Sequence, residues 1–277
     1  MLREWITLLC DRGTRQARRF GHDREAVAIA ARHRRCHAAW KPHLEAAKAL
    51  VLTTADTAPG RDTAVILGSG LCLDVPVEEL CARFGRVFLV DAHHPRPVRK
   101  LARRHRNLRL VTADVTGMGE PVARAAASGR PLPDPVFPPD PLPPGLRPDF
   151  TISLNLASQL PIPFYKVLDG RVDADVLKRF GRELIEAHFA WLERLPGRVG
   201  LVCDRLWERV DGDGAVVESR DALEGAQPPV PDRAWIWDIA PRPEESHCYD
   251  RRNQVWGYLD FAASRNGKPA GTGSQGT

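Results

Sequence analysis

The stretch Val65-Ile66-Leu67-Gly68-Ser69-Gly70-Leu71-Cys72-Leu73-Asp74 decides the fold of this chain. The short apolar run Thr63–Leu67 predicts a buried strand that ends in Gly-x-Gly, and a helix is predicted over Val75–Phe84. Glycine lets a backbone turn tightly and approach a ligand closely. The following helix N-terminus offers free N–H groups and the positive end of its dipole. This strand–turn–helix order therefore predicts a ligand-binding loop of an α/β sheet.

Strands and helices alternate along the rest of the chain. Further strands are predicted at Arg86–Val90, Leu108–Thr112, Asp149–Leu154, Arg198–Cys203, Ala234–Ile239 and Gln254–Phe261. Helices are predicted at Arg96–Arg106, Gly119–Ser128 and Asp175–Leu195. Such alternation is typical of a mostly parallel sheet with right-handed crossovers and helices on both faces. The fold class is therefore α/β and Rossmann-like.

Two acidic residues follow the next two predicted strands. Asp91 lies 21 residues after Gly70, where Rossmann-type sites place the acid that accepts hydrogen bonds from ribose hydroxyls. Asp114 follows the third strand. Because ligands bind at the carboxyl ends of parallel strands, these positions predict a nucleoside site. Leu73 occupies the position of the third glycine of the dinucleotide fingerprint, which disfavours NAD and a nucleotide-dependent oxidoreductase.

These features resemble the class I S-adenosylmethionine-dependent methyltransferases over roughly residues 43–262. The resemblance implies a Rossmann-like, seven-stranded, mostly parallel sheet whose last strand is antiparallel. It also implies S-adenosyl-L-methionine as the cofactor. The residues that would contact that cofactor are Gly68, Ser69, Gly70, Asp91, Ala92, Asp114, Val115 and Asn155. By resemblance, the glycines contact its methionine end, Asp91 its ribose and Asp114 its adenine edge.

The chain departs from the family pattern at two positions. Ile66 replaces the acid that usually stands two residues before the first loop glycine, and Cys72 replaces the third glycine. Beside a methyltransferase acting on a small or medium-sized acceptor, two alternatives therefore stay open. One is a non-catalytic binding or assembly protein on the same fold. The other is transfer of the cofactor's aminobutyrate arm, as in enzymes of the nicotianamine-synthase type.

Candidate catalytic residues follow the fourth strand. In methyltransferase-like folds this exit faces the methyl group, so Asn155, Ser158 and Gln159 are expected to orient an acceptor by hydrogen bonds. The competing interpretation is that they only cap a turn. His247 lies in the loop before the last predicted strand and is a candidate general base. An exposed loop histidine is the alternative there.

A metal site is not expected. His33, Cys36 and His37 have helical spacing, and helical His-x-x-x-His can bind zinc. No acid lies between the two histidines, no fourth ligand is evident, and the neighbouring arginines would repel a dication.

Three regions are predicted. Residues 1–57 form an N-terminal helical cap, with helical patterns at Arg24–Trp40 and His43–Leu52 and a helix that starts after Lys41 at Pro42. Residues 58–264 form the Rossmann-like methyltransferase domain, with a proline-rich insert at 131–148. Residues 265–277, rich in Gly, Ser and Thr, form a disordered tail.

Charge and hydropathy restrict the partners and the location. The chain has 277 residues and a net charge of +5, and this basic balance makes an anionic acceptor plausible. The basic cluster at 96–109 has no interleaved aromatic residues, which disfavours single-stranded nucleic acid as a partner. No apolar run approaches the roughly 20 residues of a membrane span. No signal peptide is recognised, so a cytoplasmic location is expected.

Overall fold

A computed structural model describes residues 13–135 and 142–265. Their centre is one eight-stranded sheet with the order β3-β2-β1-β4-β5-β8-β7, and β6 pairs with β5. The strands are β1 Thr63–Leu67, β2 Arg86–Asp91, β3 Leu108–Thr112, β4 Phe150–Leu154, β5 Arg198–Val210, β6 Val216–Asp221, β7 Arg233–Ala240 and β8 Asp250–Tyr258. Strands β1 to β5 are parallel, and β8 runs antiparallel between β5 and β7. The Rossmann-like, mostly parallel sheet with an antiparallel last strand is therefore confirmed.

The end of the sheet around β5 differs from the sequence prediction. Strand β5 continues seven residues beyond its predicted end at Cys203 and reaches Val210. The unpredicted β6 pairs with this second half of β5. Most side chains of β6 are exposed, so Val216–Asp221 lacks the apolar run by which a buried strand is recognised.

Helices cover both faces of the sheet. They are α1 Arg15–Arg19, α2 His22–Arg35, α3 His37–Asp56, α4 Val77–Arg83, α5 Arg96–Ala102, α6 Gly119–Ser128, α7 Ile162–Leu168, α8 Ala174–Leu192 and α9 Phe261–Arg265, with a 3-10 turn at Ala157–Gln159. Alternate side chains of β1 enter two cores. Val65 packs in the core that contains Phe189 of α8, and Ile66 packs in the core that contains Leu50 of α3. Burial on both faces explains why β1 reads as a continuous apolar run.

The N-terminal helices start and end at other positions than predicted. The segment Arg24–Trp40 is divided at Cys36, and α3 begins at His37 with Pro42 inside it, not after Lys41. Trp40 explains the earlier start, because its buried indole Nε1 donates to the carbonyl of Ile239 at 2.8 Å. Packing of this first turn against β7 outweighs the local preference of proline for a helix start.

The proline-rich insert has no helix or strand at 131–135 or 142–148. Residues 136–141 of the insert, and all of the predicted tail except Arg265 at the end of α9, lie outside the described residues. Within the described ranges, no helix combines the length and the apolar character that a membrane span requires.

Candidate functional site

A cavity of about 1130 Å³ opens where the carboxyl ends of β1, β2, β3 and β4 meet. Helices α1 and α2 cover it, with Phe20, His22 and Glu25 in its wall. Ten of the sequence-predicted site residues line it: Gly68, Ser69, Gly70, Asp91, Ala92, Asp114, Val115, Asn155, Ser158 and Gln159. The structure thus brings together every candidate except His247.

The glycine loop requires glycine at both positions, for different reasons. Gly68 has a φ of +75°, and a Cβ there would lie 2.8 Å from the carbonyl oxygen of Leu154. Gly70 has a φ of +47°, and the nearest atom that a Cβ would meet is 4.0 Å away. Between them Ser69 is 1% exposed, and its Oγ has no hydrogen-bond partner in the described part of the chain. The loop therefore offers an open backbone and one buried polar atom to a ligand.

Asp91 and Asp114 are each held by backbone N–H groups. The Asp91 carboxylate accepts from the backbone N of Gly70 at 2.8 Å and of His93 at 3.2 Å. Asp114 accepts from the backbone N of Thr116 at 2.9 Å and of Gly119 at 2.8 Å, and so lies at the start of α6. Both carboxylates are fixed at the ends of their strands, facing the same cavity.

The two departures from the family pattern have different structural consequences. Cys72 has a φ of +57°, so this cysteine adopts the left-handed backbone that a glycine would favour. Its N–H donates to the carbonyl of Ser69 at 2.7 Å, and burial raises the pKa of its thiol to about 12. The loop shape is therefore kept without the third glycine. Ile66 is fully buried in the core, so the chain has no acid at the position two residues before the first loop glycine.

Asn155 lies at the end of β4 with a φ of +48°. Its Nδ2 donates to Asp74 Oδ2 at 2.9 Å, and its Oδ1 is buried with no hydrogen-bond partner among residues 13–135 and 142–265. Burial raises the pKa of Asp74, and the hydrogen bond from Asn155 opposes this. Left-handed non-glycine residues cluster at functional sites, where the surroundings hold them in place.

His43 of α3 lies beside Asn155 in the cavity wall. Its ring is 1% exposed and stacks on Trp237 with the centroids 4.0 Å apart. The indole Nε1 of Trp235 donates to its Nδ1 at 3.0 Å, and its Nε2 lies 3.5 Å from Asn155 Nδ2. Burial lowers the pKa of His43 to about 3, so the ring is neutral at pH 7. His43 falls in a helical pattern predicted from the sequence, which assigned it no role in the site.

Two further side chains of the cavity wall were missed by sequence reasoning. Asp204 and Asn253 line the cavity and are 6% and 3% exposed. Ser158 Oγ donates to Asp204 Oδ2 at 3.1 Å. Within the described residues, Oδ1 of Asp204 and Oδ1 of Asn253 have no hydrogen-bond partner. Burial raises the pKa of Asp204, while Asn253, Ser158 and the charge of Arg251 oppose the rise.

A register shift in β5 shapes this wall. The pairing of β5 with β8 is interrupted between Asp204 and Leu206. Asp204 and Trp207 consequently both face the cavity, although they are three residues apart on one strand. Such bulges often re-aim side chains next to active sites. Because the strand was predicted to end at Cys203, no sequence signal pointed to Asp204.

His247 lies on the exposed loop between β7 and β8, outside the wall that the described residues build around the cavity. The same loop is bound to the cap, because Arg35 Nη2 contacts Glu244 Oε1 at 2.6 Å and Arg32 Nη2 contacts Glu245 Oε1 at 2.8 Å. Gln159 is exposed at the edge of the cavity.

The helically spaced His33, Cys36 and His37 do not form a metal-binding cluster in the structure. Among the described residues, no three His, Cys, Asp or Glu side chains are grouped closely enough to hold a metal ion. The rings of His33 and His37 lie edge to face with their centroids 5.4 Å apart.

Comparisons with known proteins give distant structural similarity alone. The chain matches no family model and no curated protein. It is similar to the N-methyltransferase NodS from Bradyrhizobium japonicum WM9 in complex with S-adenosyl-L-homocysteine, at 9% identity over 76% of this chain and 85% of that chain, with a TM-score of 0.36. The DhpI–SAH complex is similar at 14% identity over 83% and 93%, with a TM-score of 0.35.

A third similar structure is the 1,6-didemethyltoxoflavin-N1-methyltransferase of Burkholderia thailandensis, at 14% identity over 85% of this chain and 90% of that chain, with a TM-score of 0.33. The fold assignment itself depends on the strand order and strand directions of the sheet.

Proposed function

We propose that the chain binds S-adenosylmethionine in this cavity and transfers its methyl group to a small or medium-sized acceptor. The observation that carries the proposal is the convergence of the Gly68–Gly70 loop, Asp91 and Asp114 on one cavity at the ends of three neighbouring strands. Open α/β sheets bind their ligands at this edge. The cap of residues 1–57 and the Rossmann-like domain of residues 58–264 would then enclose the reaction.

The residues present fit such a cofactor. The space beside Gly70 is open, and Ser69 Oγ and Asn155 Oδ1 are buried polar atoms that need a partner. A carboxylate has about four acceptor positions, so Asp91 can accept from ribose hydroxyls while it holds Gly70 and His93. Ala92 would flank the ribose, and Asp114 and Val115 would lie at the adenine edge.

The size of the cavity supports a second molecule beside the cofactor. Ligand pockets usually measure about 300–1,000 Å³, and this one holds about 1130 Å³. The cofactor would supply a methyl group on a positively charged sulfur. Ser158 and Gln159 would orient the acceptor, and the cap helices would exclude water. Holding two reactants in line accounts for a large part of such catalysis.

Calorimetric titration with S-adenosylmethionine tests the cofactor site. We expect saturable binding that weakens at least tenfold in Asp91→Ala, since the ribose contact is lost. NAD should not bind, because Leu73 occupies the position of the fingerprint glycine. Asp213→Ala, on the exposed turn between β5 and β6, is the matched control and should bind like the wild type. Absence of binding to the wild-type chain would contradict the proposal.

The by-product of turnover separates the alternatives. S-adenosylhomocysteine in the reaction mixture would indicate methyl transfer, and methylthioadenosine would indicate transfer of the aminobutyrate arm. Cofactor binding without turnover on any acceptor, together with a stable protein partner, would favour a binding or assembly role.

A further inference from the structure

The cavity wall formed by β5 and β8 presents two buried oxygen atoms that lack hydrogen-bond donors. These are Oδ1 of Asp204 and Oδ1 of Asn253, and neither has a hydrogen-bond partner in the described ranges of the chain. The two side chains are 6% and 3% exposed and line the same cavity. A buried polar atom without a partner is destabilising, because it has lost its hydrogen bonds to water. Such a pair in a cavity wall therefore points to a ligand that supplies the missing donors.

We propose that the acceptor group is a primary amine, whose two N–H bonds donate to Asp204 and Asn253; this rests on the proposed methyl-transfer function. A neutral primary amine has two donors and one lone pair. Two oxygens can take both donors and leave the lone pair free to react. A hydroxyl group has a single proton and would leave one oxygen unsatisfied. A carboxylate or phosphate acceptor would place its own acceptor oxygens against the oxygens of Asp204 and Asn253, which need donors.

The charges around this wall fit the same chemistry. Asp204 is an acid buried in the wall, and Ser158 Oγ already donates a hydrogen bond to its Oδ2 at 3.1 Å. Arg251 also lines the cavity. Its Nη1 lies 3.5 Å from Glu245 Oε1 and its guanidinium stacks over the ring of Trp207, while its buried Nε has no hydrogen-bond partner among the described residues. The positive net charge of the chain, which made an anionic acceptor plausible, is therefore not concentrated at Asp204 and Asn253.

The proposed step balances with Asp204 as the proton acceptor. The amine lone pair forms the new N–C bond to the methyl carbon. The S–C bond breaks, and its electron pair goes to the sulfonium sulfur. An alkylammonium ion gives one proton to water to form the neutral amine, and the proton lost by the nitrogen on methylation passes to the carboxylate of Asp204 and then to water. Burial raises the pKa of Asp204, which brings this base closer to neutral pH, where general bases work best.

Three probes with the same skeleton test the acceptor class: phenethylamine, 2-phenylethanol and phenylacetate. They differ only in the functional group on a shared phenyl ring, so a difference between them reports on the acceptor group. Binding of each probe would be measured by ligand-observed NMR on the chain saturated with S-adenosylhomocysteine. Transfer of a radiolabelled methyl group to each probe would be measured in parallel. We expect phenethylamine to bind at least tenfold more tightly than the other two and to be the one methylated.

Two variants and a control connect that preference to the wall. Asp204→Asn keeps the shape of the side chain and should reduce the preference for the amine at least tenfold. Asn253→Leu removes the second oxygen and should reduce it several-fold, which gives an independent reading if one variant folds poorly. Asp213→Asn makes the same chemical change on the exposed β5–β6 turn and should leave the preference intact.

The outcomes separate this inference from the cofactor proposal. If the cofactor binds and the three probes bind equally, bind not at all, or favour the alcohol or the acid, the amine inference is overturned and the cofactor site stands. If the variants keep the wild-type preference, the wall is not the amine site. If the cofactor itself fails to bind, the proposed function and the amine transfer fall together.

Discussion

The two halves of the cavity hold their carboxylates in different ways, although the buried Oγ of Ser69 in the first half also lacks a hydrogen-bond partner among the described residues. We define the glycine-loop half as Gly68–Gly70, Asp91 and Asp114, at the ends of β1, β2 and β3. There each carboxylate accepts from two backbone N–H groups. We define the β5 half as Ser158, Asp204 and Asn253. There two buried side-chain oxygens, Oδ1 of Asp204 and Oδ1 of Asn253, have no hydrogen-bond partner among the described residues.

This difference indicates what each half is built for. Carboxylates held by backbone N–H groups keep their position whether or not a ligand is present. Buried oxygens without donors are destabilising until a ligand donates hydrogen bonds to them. A ligand with matching donors therefore binds more tightly than one without them. The glycine-loop half is thus suited to a constant cofactor, and the β5 half to selection among acceptors.

The largest expected effect separates the two halves by kinetics. Asp204→Asn should lower kcat about 100-fold or more, since general bases contribute about 10²–10⁴, and should leave the affinity for S-adenosylmethionine within about twofold. Asp91→Asn should do the reverse and weaken cofactor binding first. Steady-state kinetics and calorimetry on both variants measure this. Equal loss of both quantities in both variants would break the distinction between the halves.

The stability of the folded chain at acidic pH should depend on the imidazole of His43, which lies beside Asn155. The pKa of His43 is about 3 in the folded chain, against 6.5 for an unperturbed histidine, so only the unfolded chain takes up this proton between those values. Stability from this group is complete above pH 6.5 and falls by about 1.4 kcal/mol per pH unit as the pH drops toward 3. Urea unfolding at pH 4–7 should show a smaller slope for His43→Asn. His247→Asn, on the exposed loop, should keep the wild-type slope.

The β5 half should also show a conflict between stability and function. Because the pKa of Asp204 is raised in the folded chain, its contribution falls as the pH rises through its ordinary value of 3.8 toward the raised value. Asp204→Asn should therefore be more stable than the wild type at pH 7, by about 1 kcal/mol. Thermal unfolding at pH 3 and pH 7 checks this, and the gain should vanish at the lower pH. A less stable variant at pH 7 would show that Asp204 is a structural residue.

The smallest expected effect concerns the glycine-loop half. Cys72 holds a φ of +57°, which costs a non-glycine residue about 1–2 kcal/mol. Cys72→Gly relieves this but adds freedom to the unfolded chain, so stability should rise by less than about 1 kcal/mol. Cofactor affinity should stay unchanged, because the loop already has the required shape. A large loss of affinity would mean that the cysteine side chain itself contacts the ligand.

The glycine-loop half was more predictable from the sequence than the β5 half. Buried apolar runs place β1, β2 and β3 within a residue of their observed bounds, and a glycine pair or an acid lies at the end of each strand or within two residues of it. The β5 half depends on contacts between distant segments. Asp204 and Asn253 reach the cavity through a register shift between β5 and β8, and His43 through packing against β7. No local pattern encodes these contacts.

The docking of the cap has a consequence for synthesis on the ribosome. Its contacts with β7 and the following loop join residues 192 to 213 positions apart, such as His43 with Trp235 and Arg32 with Glu245. Ribosomes add about 5–20 residues per second, so α3 waits roughly 10 to 40 seconds for these partners. Meanwhile Trp40, which is buried in the finished chain, has no native partner on β7. During this time the apolar side chains of α3 that later pack against β7 are open to nascent-chain chaperones.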